Sequence, residues 1–270
     1  MLFTPRVLPR IISTPLRSPT FIPTVHRTMS SAATSIAQKL DALRNYSACD
    51  VSDALLKIQK LPEGTTPRAG HLADFTPLTP TIGRNTTTPK LIAPASTFKF
   101  IPKAESASSD PTHGFPAGTH WVDLAEPGTV AVIEQPQGQY CAVLGGIMAV
   151  RMKTLGVEGA LVNGRVRDLD EIRGCGLPVW AQGTSTVGTG AEAKPGARNV
   201  PVTVGGGVTV SPGDIIFCDP LEGVVFIPRD LLDQVLDVMP KLIAMDDKVK
   251  DAVGQGMSVF DAFKQFRTKI

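Results

Sequence analysis

The stretch from Tyr140 to Asp168 constrains the fold most, because it reads as strand, helix and strand with glycines at the joints. Tyr140-Cys141-Ala142-Val143 is a short apolar run of strand type, and Gly145-Gly146 closes it. Ile147 to Leu155 spans a short helix, and Gly156 ends it, since glycine takes the left-handed C-cap conformation without a Cβ penalty. A second strand follows, Gly159-Ala160-Leu161-Val162-Asn163, and then the turn Gly164-Arg165-Val166-Arg167-Asp168. Parallel strands need a crossover of this kind. If the two strands are parallel neighbours, both turns open onto one crevice at the carboxyl ends of the strands, where α/β folds bind ligands.

The remainder of the chain is built from short pieces. Helical periodicity runs from Ile36 to Leu43, and Ser47 with Asp50 forms a capping pair ahead of Val51-Ser52-Asp53-Ala54-Leu55-Leu56. Residues 60–90 are rich in Pro, Thr and Gly and read as loop with one or two short turns. Strands are expected at Leu91-Ile92-Ala93, Thr97-Phe98-Lys99-Phe100 and Val130-Ala131-Val132-Ile133, with a long polar loop from Lys103 to His120. More follow at Pro178–Ala181, Val200–Val204, Asp214–Phe217 and Gly223–Ile227. A C-terminal helix carries Leu232, Val235, Leu236, Met239, Leu242 and Ile243 on one side, and Pro240 is expected to kink it. Many short strands around a few helices predict a compact, layered α/β sandwich rather than a regular doubly wound sheet, in one domain over residues 31–270. No internal repeat is visible.

The N-terminal segment has a different composition. From Met1 to Leu40 there is no Asp or Glu, whereas Arg6, Arg10, Arg17, Arg27 and Lys39 are present, the bias of a mitochondrial transit peptide. Pro5, Pro9, Pro15, Pro19 and Pro23 oppose the amphipathic helix such a peptide forms. Met29-Ser30-Ser31-Ala32 offers a second reading, a cytosolic start that discards the basic segment. Under both readings residues 1–30 stand outside the fold, and the protein belongs to the mitochondrial matrix or the cytoplasm. A net charge of +2 gives no case for a nucleic-acid partner. No apolar run approaches the roughly 20 residues that cross a bilayer. Cys49, Cys141, Cys175 and Cys218 form no C-x-x-C pair and the four histidines no ligand doublet, so free thiols are expected and a zinc site is not.

The two turns of the central unit carry the chemistry. The first opens a helix, so the amides of Gly146, Ile147 and Met148 are expected as unpaired donors at the positive end of the helix dipole, a place for a carboxylate or phosphate. The second supplies the Arg167 guanidinium for an oxyanion and the Asp168 carboxylate for a hard divalent cation. A plainer alternative has Asp168 capping a helix at Leu169 to Ile172, with Arg165 and Arg167 solvated.

Gly145-Gly146-Ile147-Met148-Ala149, Gly156 to Asp168 and Pro178-Val179-Trp180-Ala181-Gln182-Gly183 closely resemble the 4-hydroxy-4-methyl-2-oxoglutarate aldolases, which also decarboxylate oxaloacetate, and the related regulators of ribonuclease activity A. Val51–Leu55, Ala93–Thr97, Pro212-Gly213-Asp214 and Asp219–Val225 add matches, and the resemblance covers about residues 40–265. It implies a swivelling β/β/α sandwich assembled as a homotrimer or hexamer with sites at subunit interfaces. It also implies a lyase that forms pyruvate from a small 2-oxo acid with Mg²⁺ or Mn²⁺. Arg167 would bind the oxo acid, Asp168 the metal, and the amides of Ile147 and Met148 the substrate carboxylate. One departure stands out: family aldolases carry a carboxylate at the position of Gly146 that helps to organise the metal's waters. Asp246 or Asp247, near where the family places an acidic residue reaching a neighbouring subunit, is one candidate substitute. His120 is a candidate substrate contact, with a loop-anchoring role as the alternative, in a loop with His113 that sets this branch apart.

Two other functions compete. A non-catalytic regulator binding a ribonuclease or helicase shares the resemblance, but such regulators do not keep the Asp after the Arg. Methyl transfer would need a cofactor-cradling loop that opens a helix. Gly205-Gly206-Gly207 is followed instead by Val208-Thr209-Val210 and Pro212, which excludes it.

Overall fold

A computed structural model of the protein describes residues 31–267, and the expected targeting segment, 1–30, lies outside that range. The helices are α1 (Ser31–Leu43), α2 (Ala48–Ile58), α3 (Gly146–Leu155), α4 (Leu169–Cys175), α5 (Leu232–Gly254) and α6 (Val259–Phe266). The strands are β1 (His71–Leu72), β2 (Thr76–Thr79), β3 (Leu91–Pro102), β4 (Val130–Glu134), β5 (Ala142–Leu144) and β6 (Gly159–Val166), then β7 (Val179–Thr184), β8 (Ala193–Arg198), β9 (Val202–Val204), β10 (Val208–Val210), β11 (Ile215–Asp219) and β12 (Gly223–Ile227).

Ten strands form one mixed sheet in the order β1-β12-β11-β3-β4-β6-β7-β2, with β5 joined to β6 and β8 to β3. Its centre, β3-β4-β6-β7, is parallel, and its flanks are antiparallel. The central strands are buried on both faces, and alternation along each strand feeds two different cores. Ala131, Ile133, Ala160 and Val162 pack with Ala149 and Met152 of α3 and Ile172 of α4. Val130, Val132 and Leu161 point the other way, into an interior shared with Ile216, Cys218, Val224 and Phe226 of β11 and β12. The far side of those two strands, Ile215, Phe217, Val225 and Ile227, is covered by α2 and α5. The two halves of the sheet thus fold over a common interior with helices outside, the layered α/β sandwich that the sequence predicts. Each fully buried Val, Leu, Ile or Phe contributes about 1.5–3 kcal/mol relative to exposure.

Local signals explain the ends of the elements. Ser47 and Asp50 form the expected capping box on α2, with Ser47 accepting from the Asp50 amide and Asp50 accepting from the Ser47 amide at 2.7 Å. Gly156 takes the left-handed conformation (φ 81°) and ends α3 as expected. Gly205-Gly206-Gly207, all at positive φ, turn the β9–β10 hairpin and open no helix.

Three expectations need correction, and one strand, β8, lies outside the expected set. The runs at 91–93 and 97–100 are one strand. The Ala95 amide donates to Asp214 O at 2.7 Å, so the nitrogen of Pro94 faces the other edge, where β4 pairing begins only at Ala95↔Val130. Residues 76–79, expected as loop, form edge strand β2 on β7, a position that tolerates Pro77. Residues 193–198 form β8, antiparallel to β3. Finally, β6 runs on through Val166, so the expected turn at 164–168 shrinks to Arg167-Asp168. Gly164 accommodates a register shift there: a Cβ on it would overlap Oε1 of Gln135 and lie 2.7 Å from that residue's Cβ. The helix α5 continues through Pro240 without a break.

Candidate active site

Strands β5 and β6 are parallel neighbours, paired at Ala142↔Arg165 and Leu144↔Val166, so the two turns after them do meet. The Arg167 amide donates to Leu144 O at 3.0 Å and fixes the second turn beside the first. A Cβ on Gly145 would lie 2.8 Å from Asp168 Oδ2 and 3.4 Å from Arg167 Cγ, so only glycine allows this approach. Gln135 braces the junction from the other side. It follows the last residue of β4, donates through Nε2 to Cys141 O at 2.7 Å and accepts through Oε1 from the Arg165 amide at 2.9 Å. It thereby bridges the point where β4 leaves the edge of β6 and β5 takes over.

Asp168 is the most informative residue of the site. It occupies the N-cap position of α4, yet its side chain makes no cap hydrogen bond, and its backbone is left-handed at φ 59° and ψ 46°. That conformation is uncommon for a residue with a Cβ and persists where the surroundings impose it. The carboxylate turns instead to α3, accepting from the Gly146 amide at 3.2 Å and lying 3.3 Å from Arg167 Nε. The plain capping alternative is therefore half right, in position but not in bonding. The Arg167–Asp168 pair is partly solvated, at 44% and 36% side-chain exposure, so it adds little stability and matters for where it places two charges.

The expected trio of free amides becomes a pair. Gly146 is already engaged by Asp168, while the amides of Ile147 and Met148 donate to no group among the described residues. Ile147, Met148, Arg167 and Asp168 line one cavity of about 610 Å³. Arg167 lies along the backbone of Gly188, where a Cβ would come within 2.9 Å of Nη1. Lys194 of β8 and His120 also line this cavity. The Nδ1 of His120 accepts from the Val122 amide at 3.4 Å, which leaves Nε2 as the N–H-bearing nitrogen. His120 thus lines the cavity and anchors its loop at once. His113 is not part of that wall, and its Nδ1 lies 3.1 Å from Arg198 O.

Glu171 was not singled out from the sequence. It projects from the first turn of α4 over Gly146, where an added Cβ would overlap its carboxylate and lie 2.8 Å from its Cδ. The space that a side chain at 146 would enter is thus held by a carboxylate from another element. Glu171 stands one helical turn after Asp168, a spacing that puts both on one side of α4, and that spacing was the available signal. Within the chain Asp246 and Asp247, both on α5, pair with Arg267 at 2.8 Å and with Lys250 at 3.2 Å, whereas the expected contribution is to a neighbouring subunit. The four cysteines are free, with Cys141 and Cys218 buried.

Among the described residues no three His, Cys, Asp or Glu side chains gather as a cation cage. Asp168 is the one acidic residue on the cavity wall. That donor set fits a hard cation such as Mg²⁺, which keeps several waters and takes one or two carboxylates plus substrate oxygens.

Comparison with known proteins now identifies the family. The RraA-like family model, described as Aldolase/RraA, matches residues 48–226. The chain belongs to the RraA-like family. A Halalkalibacterium halodurans protein, provisionally named a 4-hydroxy-4-methyl-2-oxoglutarate aldolase, is 32% identical over 52% of this chain and 65% of its own length. Protein DlpA of Legionella pneumophila is 25% identical over 81% of this chain but only 31% of its own length. The chain therefore spans from about a third to two-thirds of the relatives it matches. The solved structure of Streptomyces coelicolor RraAS2, titled an unusual member of the RNase ES inhibitor RraA family, superposes with a TM-score of 0.61 at 25% identity, over 78% of this chain and 95% of that one. An uncharacterised Pseudomonas syringae protein gives 0.62 at 22% identity over 84% and 96%, a likeness of fold. The RraA-like family thus joins aldolase-named and regulator-named proteins on one scaffold.

Proposed function

We propose that this RraA-like protein is a divalent-metal-dependent carbon–carbon lyase that releases pyruvate from a 4-substituted 2-oxo acid, and that the same centre decarboxylates oxaloacetate. The observation that carries the reading is Asp168: left-handed, making no cap bond, and aimed at a helix N-terminus beside Arg167. A residue needed only as a cap has no reason to adopt that arrangement.

Asp168 would hold Mg²⁺ or Mn²⁺, and the bound ion would act as a Lewis acid on the 2-oxo oxygen. The amides of Ile147 and Met148 receive the substrate carboxylate at the positive end of α3. The Arg167 guanidinium faces the oxygen on which negative charge grows as the bond to C3 breaks, and stabilises the pyruvate enolate. Glu171, over Gly146, would take the part of the carboxylate that the family places at that position and help to hold the ion's waters. Assembly as a homotrimer or hexamer belongs to the same proposal and rests on the family resemblance.

Purified protein should release pyruvate from oxaloacetate or from 4-hydroxy-2-oxo acids with Mg²⁺, lose that activity to a chelator and regain it with Mg²⁺ or Mn²⁺. Glu171→Gln should weaken Mn²⁺ binding by about 10–100-fold, read by electron paramagnetic resonance without turnover. Metal-independent pyruvate release would sink the mechanism. The alternative, a regulator that binds a ribonuclease or helicase, is supported by the RraA half of the family description and by the RraA title of a solved relative. It predicts no pyruvate under any condition.

A further inference from the structure

The cavity is much larger than a pyruvate unit, and most of it is of the wrong chemistry for one. Its volume of about 610 Å³ falls in the range, roughly 300–1,000 Å³, of pockets that enclose drug-sized ligands. The Arg167–Asp168 turn and the amides of Ile147 and Met148 come together where β5 and β6 end. The Trp121 side of the cavity is Phe100, Phe115, Trp121 and Pro195, with His120 and Lys194 beside them.

That apolar wall is shaped by the fold rather than left over from it. The Trp121 ring meets Phe98 and Phe100 edge-on, with centroids 5.2 Å from each, so the floor is a fixed aromatic cluster of the core. Phe115 is half-buried on the long loop before His120 and packs on the same core. The loop is tied down where it forms the wall: Ser108 donates to Gly196 O at 2.8 Å, and Arg198 donates to His113 O at 2.8 Å. A chain with no use for this space would gain by closing it, since apolar surface left to water forfeits hydrophobic and dispersion stabilisation.

We infer that the substrate carries an apolar group of about aromatic size on C4 of the 2-oxo acid, and that Phe115 and Trp121 select it. The inference rests on the function proposed above and narrows it. For R–CH(OH)–CH₂–CO–COO⁻, with R apolar, the C3–C4 bond breaks and its electron pair becomes the enolate of pyruvate. The C4 hydroxyl gives its proton to water and becomes the carbonyl of R–CHO, and the enolate takes a proton at C3. The step is redox-neutral. With the oxo acid at the Arg167–Asp168 turn, R reaches past C4 into the aromatic part of the cavity. A 4-carboxylate in that part would find Lys194 as its cation, set among apolar walls.

Binding separates this inference from the lyase reading. The full-length protein with Mg²⁺ is titrated with pyruvate, 2-oxoglutarate and 2-oxo-4-phenylbutanoate, following Trp121 fluorescence and, for variants, calorimetry. None of the three has a 4-hydroxyl to cleave, so catalysis is not required. The phenyl acid is expected to bind at least ~30-fold more tightly than pyruvate and more tightly than 2-oxoglutarate. Phe115→Ala should cut the phenyl-to-pyruvate preference by about tenfold. Ala107→Phe, on the exposed loop side of the same cavity, should cut it by filling the space, which keeps the test valid if the Phe115 variant folds poorly. Equal affinities, or tighter binding of 2-oxoglutarate, would overturn the inference. In that case pyruvate release from oxaloacetate would still uphold the lyase reading. A phenyl preference without pyruvate from any 4-hydroxy-2-oxo acid would bring down the lyase reading and leave the binding selectivity.

Discussion

Two cavities flank the carboxyl end of β6, of about 610 and 590 Å³, and they differ in almost everything but size. The candidate active site is mostly apolar, with a handful of polar groups among its lining residues. The second cavity is lined by Glu134, Gln135, Gln137, Asn163, Arg165 and Gln182 and looks, by composition, the better place to bind something polar. Several of its groups are nevertheless tied to neighbours, although the buried Oε1 of Gln139 has no partner among the described residues. Glu134 accepts from the Thr203 amide at 2.8 Å, Asn163 from the Gly205 amide at 2.9 Å, and Arg165 donates to Thr184 O at 3.0 Å. In the first cavity the amides of Ile147 and Met148 are unspent and Asp168 sits in a conformation it does not prefer. Polarity alone therefore does not mark a site here, nor does a left-handed backbone, since Asp74 on the second cavity is left-handed too; the uncommitted amides beside Arg167 and Asp168 do.

The largest expected effect breaks or upholds that contrast directly. Asp168→Asn keeps the size of the side chain and removes its charge, so Mn²⁺ binding and pyruvate formation should fall together. Arg167→Lys keeps a charge but loses the planar fork, and should lower kcat more than it raises KM. Each should cost about 10²–10³-fold in rate, the usual consequence of losing one preorganised contact to a developing oxyanion. Melting temperature should barely move for either, because the pair is partly solvated. Normal turnover by folded Asp168→Asn would move the chemistry out of this cavity.

The intermediate effect comes from the second cavity and has the opposite signature. Gln135→Ala removes two hydrogen bonds at the β4–β5 junction and strands the buried Cys141 carbonyl. The expected loss is about 1–3 kcal/mol of stability, read as a fall of several degrees in Tm. Turnover per folded molecule should stay within about tenfold of the wild type, well short of the Asp168 effect. A large kcat loss with an unchanged Tm would mean that the second cavity is functional and the contrast false.

Sequence legibility followed the same division. The unit from 140 to 168 could be read because its signals are local: apolar runs, glycines at the joints, and a crossover that forces parallel pairing. The capping box on α2 was readable for the same reason. What stayed hidden depends on partners distant in the chain. Ala-Lys-Pro-Gly-Ala-Arg, residues 193–198, has no β-branched residue, and it is a strand only because β3 offers it an edge. That strand and the loop carrying Phe115 build much of the cavity wall, so the charged turn of the site was legible and its apolar wall was not. Glu171 was missed because the reading looked for a carboxylate on α5, in Asp246 or Asp247, whereas α4 supplies one over Gly146.

The smallest expected effect tests the joint between the two cavities. Glu192 precedes β8, which lines the first cavity, and its carboxylate accepts from the amides of Tyr140 and Cys141 at 2.7 Å each, pinning the segment that rims the second. Those bonds, from Cys141 first and then Tyr140, hold its carboxyl below the ordinary Glu range. A carboxylate with a lowered folded-state pKa stabilises fully above the unfolded pKa, about 4.3, and loses that contribution as pH falls through the folded value. Glu192→Gln has no charge to titrate. The Tm difference between wild type and Glu192→Gln should therefore be constant from neutral pH down to about 5.5 and shrink progressively below about 4.5. The amplitude should be small, because the carboxylate is open to solvent and water competes for the same amides. A difference that grew on acidification, or that persisted unchanged to pH 3, would show that Glu192 acts through packing rather than through its charge. The ordering of β5, and with it the placing of the Gly145–Gly146 turn, would then need another source.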